Sequence, residues 1–116
     1  MNPNALFIVT SDPRVSHRAA EAIRMAAGIS AWKKANITVY LRGAAILALG
    51  EWVDDLVHDD DYTRYLPILR DPKHPILVEA GSPYLSELGE ATMPFEPITD
   101  DVLGSVAAQS QYVLRF

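Results

Sequence analysis

The five residues Ala5-Leu6-Phe7-Ile8-Val9 form an unbroken apolar run of β-favouring character, stopped by the turn formers Ser11-Asp12-Pro13. A strand with apolar side chains on both faces must be covered on both, which is the condition of a central strand in a parallel sheet. Ser16 then stands where it can cap a helix running from about His17 to Lys34, in which Ala20, Ile23, Ala27 and Ala31 recur at helical spacing opposite Arg18, Glu21 and Arg24. Lys33-Lys34 suit the negative end of that helix, and Asn36 releases the chain into Ile37-Thr38-Val39-Tyr40-Leu41, a second β-branched run. Strand, amphipathic helix and strand together make a βαβ crossover.

The rest of the chain continues the alternation. Gly43 opens Ala44-Ala45-Ile46-Leu47-Ala48-Leu49, apolar on every side and therefore expected as a buried helix ending at Gly50. An amphipathic stretch with Trp52, Val53, Leu56 and Val57 follows, broken by His58-Asp59-Asp60-Asp61. Tyr62, Tyr65, Leu66 and Leu69 then recur at helical spacing, with Pro67 placed to kink the helix or start it. Asp71-Pro72 and His74-Pro75 signal turns before a third strand, Ile76-Leu77-Val78-Glu79-Ala80, which ends at Gly81. Ser82-Pro83 starts a helix to about Leu88, because serine caps free amides and proline pre-sets the first turn. Residues 92–97 hold Pro94 and Pro97 and so can only be a short or peripheral strand. Thr99 caps a last helix from Asp100 to about Ser110, and Tyr112 to Phe116 closes as a strand.

This pattern predicts a three-layer α/β/α sandwich around a mostly parallel sheet of about five strands, flavodoxin- or Rossmann-like in type. Residues 1–116 are the size of a single domain with one core. In such sheets ligands bind beyond the carboxyl ends of the strands where the strand order reverses, expected here between the first and third strands. Ser11 to His17 and Glu79 to Tyr84 are the segments that would line such a site.

Composition narrows the chemistry. The chain has no cysteine, which excludes disulfides, thiolate metal sites, CxxC redox pairs and a cysteine nucleophile. The net charge is −5, with acids gathered at Asp54, Asp55, Asp59, Asp60, Asp61, Asp100 and Asp101 and the basic residues scattered, so nucleic acid is not an expected partner. The opening apolar run lacks a basic flank and is too short for a signal sequence or a membrane span, and a cytoplasmic setting is expected.

Three stretches carry a family resemblance: FIVTSDPRVSHRAAEAIRMAAGI, ITVYLRGAAILALG and ITDDVLGSVAAQSQYVLRF. Together they resemble the DsrE/DsrF/TusD family, small α/β proteins of sulfur oxidation and of the sulfur relay for tRNA thiolation. The resemblance implies the DsrE-type fold, a cytoplasmic location and homo-oligomers or mixed assemblies with related subunits. Members that transfer sulfur hold a persulfide-forming cysteine on the loop after the third strand, and the corresponding stretch here, Leu77-Val78-Glu79-Ala80-Gly81-Ser82, has none. Serine, alanine or glutamate cannot store a sulfane sulfur as a thiolate does.

Each candidate residue has a structural role to set beside a chemical one. Glu79 can act as a base or accept a substrate hydrogen bond, or it can simply pair with a lysine or arginine. Ser11, Asp12, Arg14, His17 and Arg18 lie where a loop meets a helix N-terminus, an arrangement that can hold a small anion, with Arg42-Gly43 able to add a second charge. That loop lacks the glycine-rich phosphate fingerprint, and Asp12 or Ser16 can serve as plain caps. Gly81 and Ser82 stand where a strand meets a helix, but the flanks are not GxSxG and a cap explains Ser82 fully. His58-Asp59-Asp60-Asp61 reads as a charged turn, since consecutive residues cannot all face one ion, and neither a metal nor a cofactor is expected. Trp52, Tyr62 and Tyr65 fall outside the strongest core pattern and fit either a subunit interface or local packing. The expected function is a non-catalytic small-ligand-binding or assembly subunit; the alternative is a thiol-independent enzyme using Glu79 with His17 or Arg14.

Overall fold

The computed structural model describes residues 2–71 and 73–116, and of Asp54 the backbone alone. Pro72, half of one turn signal, lies outside the described residues. Five parallel strands form one sheet: β1 (Asn4–Val9), β2 (Asn36–Leu41), β3 (Ile76–Glu79), β4 (Phe95–Ile98) and β5 (Tyr112–Arg115), in the order β4-β3-β2-β1-β5. Three α-helices accompany them, α1 (Arg18–Ala31), α2 (Asp59–Tyr65) and α3 (Asp100–Ala108).

The apolar run that opens the chain does become a central strand. Ala5 to Val9 are all buried, with Ala5, Phe7 and Val9 turned to one face of the sheet and Leu6 and Ile8 to the other. The first face carries most of the chain. Steps from β1 to β2, β3 and β4 move in one direction, and right-handed crossovers put all three connections on the same side. There α1 buries Ala19, Ala20, Ile23 and Ala27, α2 buries Tyr62, and the segment after β3 contributes Leu88 and Met93. Phe7 stacks in parallel on Phe116, with ring centroids 5.8 Å apart.

The return from β4 to β5 reverses direction and so crosses the other face, which among the described residues α3 alone covers. Leu103, Val106 and Ala107 of α3 pack on Leu6, Ile8, Tyr40, Leu77 and Ile98, yet no residue of α3 is itself fully buried. Val113, beside Leu6 on this face, remains 41% exposed because α3 does not reach the edge strand.

Several local forms are tighter than the sequence predicts. Gly43–Leu49 and Pro83–Glu87 are 3-10 helices, and the turn-rich Val53–Asp55 is another. Pro67 converts the end of α2 into a 3-10 turn, Leu66–Leu69, since it cannot donate to the α-helical ladder. His17, with no side-chain cap bond, occupies the N-cap of α1, while the Ser16 hydroxyl accepts from the Arg18 amide at 3.2 Å. Ser82 and Thr99 do cap as expected, accepting from the Tyr84 and Val102 amides. Strand order also differs from expectation: β2 lies between β1 and β3, so no crevice opens between the first and third strands. Connections diverge to opposite faces instead at the β3/β4 pair.

The unequal faces set a stability contrast. Ile23→Ala, in the fully buried seam of α1, is expected to cost about 2–5 kcal/mol, whereas Val102→Ala on the exposed flank of α3 should stay within about 0.5 kcal/mol. Urea unfolding of the two variants checks both values.

Candidate functional site

The carboxyl ends of the strands gather two charged clusters. At the end of β2, Tyr40 and Arg42 are two residues apart and so project to the same side of the sheet. The Arg42 guanidinium donates to Asp100 Oδ1 at 2.8 Å and to the Tyr40 hydroxyl at 3.2 Å, and its second nitrogen lies 3.5 Å from Glu79 Oε2. Glu79 Oε1 accepts from the Gly43 amide at 3.1 Å. Gly43 has φ +60°, a left-handed conformation that a side chain would strain. One guanidinium therefore spans the end of β3 and the first residue of α3, across the pair of strands whose connections part. With two carboxylates to one guanidinium, this cluster offers an anion no net attraction.

The second cluster sits on the loop after β1. Asp12 holds Arg14 through Nε and Nη2, with the shortest contact 2.8 Å, and also accepts from the Arg14 amide at 2.9 Å. The Arg14 guanidinium lies over the Tyr84 ring, 5.7 Å from its centroid, which links this loop to the one after β3. The Ser11 hydroxyl is buried without a hydrogen-bond partner among the described residues. His17 approaches Glu21 at 3.6 Å, and its ring lies 5.9 Å from that of His58. Gly81, at φ +77°, turns the chain out of β3, and Ser82 is buried in its capping role.

The predicted residues thus fall into separate groups: Arg42 joins Glu79, and Asp12 joins Arg14. Tyr40 and Asp100 belong to the first group although the sequence gave them no role there, and Tyr84, the end of the second expected lining segment, joins the other. Strand alternation from Tyr40 to Arg42 was the available signal for the first. Among the described residues, no group of three or more His, Asp or Glu side chains is placed to hold a metal ion. No helix among them is long and apolar enough to cross a membrane.

Both arginines depress their partner carboxylates. The Arg42 hydrogen bond, helped by its charge, lowers the Asp100 pKa. Asp12 is lowered chiefly by its side-chain bond to Arg14, against a smaller opposing effect of burial. A carboxylate with a depressed pKa in the folded state adds stability above its ordinary pKa and loses it as pH falls through the folded value. The urea midpoint is therefore expected to be flat near neutrality and to fall from about pH 5 downward. Asp100→Asn and Asp12→Asn should each flatten that acid limb, which a series of urea titrations across pH would reveal.

No family model matches the chain, and no curated protein matches it. Among solved structures, the crystal structure of the YchN protein from E. coli superimposes with a TM-score of 0.81 at 15% sequence identity, covering 100% of both chains. At that identity the likeness concerns the fold, and the chain has the DsrE-like fold: a five-stranded parallel sheet with helices on both faces.

Proposed function

We propose that the chain is a non-catalytic DsrE-like subunit, cytoplasmic and related to sulfur-relay proteins, which works through assembly with copies of itself or with related subunits. The observation that carries this reading is the condition of the segment after β3. By resemblance, sulfur-transferring members hold their cysteine there; this chain has none, and Glu79 is engaged by the Gly43 amide and by Arg42. A carboxylate held in this way is poorly placed to take a proton from a substrate. The enzymatic alternative needs Glu79 to act with His17 or Arg14, but those residues are turned to Glu21 and Asp12.

Assembly draws support from the surface beside the first loop. Trp52 is 64% exposed and Val15 79% exposed, and Trp52 borders a surface depression with Arg14, Leu47 and Leu56. Large aromatics that remain wet in one chain are the residues that anchor interfaces most effectively. Tyr62 is buried within its own chain, whereas Trp52 stays exposed beside this depression. Binding of a small anion by Arg14 is the subsidiary reading, and the anion would have to displace Asp12.

Native mass spectrometry of the unmodified chain is expected to show a homo-oligomer. Trp52→Ala should weaken it by about tenfold or more while leaving the urea midpoint unchanged. A monomer at every concentration would sink the assembly reading. A retained small anion, lost in Arg14→Ala, would turn the reading from assembly to ligand binding.

A further inference from the structure

The two edges of the sheet are not alike. β4 and β5 each pair with one neighbour, so each has one row of backbone groups without a strand partner among the described residues. On β4 the Ala80 amide donates to the Ile98 carbonyl, which turns Ile98 and Glu96 toward β3 and leaves Phe95 and Pro97 to face outward. Pro97 has no N–H to offer there, which blunts that edge against a further strand. On β5, Phe116 donates its amide to the Ile8 carbonyl, and its own carbonyl accepts from the Thr10 amide. Alternate residues of a parallel ladder bond to the same side, so Tyr112 and Leu114 also face β1, while Val113 and Arg115 present their amides and carbonyls outward. β5 holds no proline, its register against β1 is unbroken, and Arg115 is its single charge. Tyr112 and Val113 are both exposed on it.

A row of free amides and carbonyls is matched most fully by another strand. A β4 strand is a poor match because of Pro97. A second β5 is a good one: antiparallel pairing about a two-fold axis normal to the sheet uses the same edge of both copies and leaves neither with an open β5 edge. Directly opposite residues then share a face, so the axis must pass through a residue. Centred on Val113, the pairing exchanges hydrogen bonds between Val113 and its own copy, sets Tyr112 opposite the second copy's Leu114, and sets Arg115 opposite Gln111. Val113, which α3 leaves bare, is covered by its copy. A register centred on Leu114 would instead set Val113 against Arg115, and one centred on Arg115 would bring two guanidiniums together.

From the unguarded edge and this self-complementary register, we propose that β5 pairs with β5 of a second copy, antiparallel and centred on Val113, to make one sheet continuous across both chains. The proposal rests on the assembly reading above and gives it a surface other than that of Trp52.

The chain has no cysteine, so a single introduced thiol can link only two copies. Opposite residues of a hydrogen-bonded antiparallel pair have Cα atoms about 5.5 Å apart, within disulfide reach. Under mild oxidation Val113→Cys is expected to cross-link about tenfold faster or more than Val102→Cys, an exposed position on α3. Tyr112→Cys and Leu114→Cys should each cross-link poorly alone and well when mixed, because they oppose one another. Adding Trp52→Ala to Val113→Cys should leave its cross-link in place. A Val113→Cys rate no greater than that of Val102→Cys, equal rates at all four positions from 112 to 115, or loss of the cross-link with Trp52→Ala would each overturn the proposal. If the unmodified chain is still a homo-oligomer by native mass spectrometry when Val113→Cys fails to cross-link, this edge is ruled out and the assembly reading stands. A monomer at every concentration removes both.

Discussion

The structure depends on keeping β1 dry on both faces. Its five apolar residues pair with β2 on one side and β5 on the other, so neither edge nor face of this strand meets water. A parallel sheet with such a centre needs cover above and below, and each parallel step needs a crossover to supply it. The chain has only four crossovers to distribute. Three run in the same direction and stack α1, α2 and the 3-10 segments on one face, leaving α3, among the described residues, on the other. The thick and thin faces are thus a consequence of strand order, and strand order follows from where β5 inserts.

The strand order also explains the character of the rim. Where connections from β3 and β4 part to opposite faces, the fold provides a crevice that many α/β proteins fill with a ligand. Here Arg42, at the end of β2, reaches across it to Glu79 and Asp100. Asp100 has a second reason to stand there, because it opens α3, where a negative charge complements the helix dipole. The same residue serves the helix and the cluster, so the rim is closed by groups the fold already needs. Arg14 is held in a comparable way by Asp12, whose backbone oxygen also accepts from Val15 and Ser16 to shape the loop.

Legibility in the sequence followed the strength of local signals. Mostly apolar, β-favouring runs at residues 5–9, 37–41 and 76–80 reported buried strands, and the capping residues Ser82 and Thr99 reported helix starts through short-range hydrogen bonds. The 3-10 form of Gly43–Leu49 could not be read, since an all-apolar run has no phase from which to tell one helix type from another. Strand order was likewise hidden: placing β5 beside β1 is a long-range choice that no local pattern encodes. The error about the β1/β3 crevice follows directly from that. At the site, Glu79, Arg42, Asp12 and Arg14 were visible as charged residues near strand ends. Their division into two internally paired groups was not, because partners such as Asp100 lie far away along the chain.

Tyr62 shows how a residue can be misread when its polar and apolar parts answer to different demands. Its spacing with Leu66 and Leu69 marks a helix face, and an aromatic at the margin of a core pattern suggested a role between subunits. The ring instead enters the main core against α1, which satisfies its apolar surface completely. The hydroxyl follows the ring into that environment and finds no acceptor there. Phenylalanine would meet every packing requirement of the site without that penalty, so packing alone gives no reason for tyrosine. In this DsrE-like fold the strand-end arginines are already paired with the chain's own carboxylates.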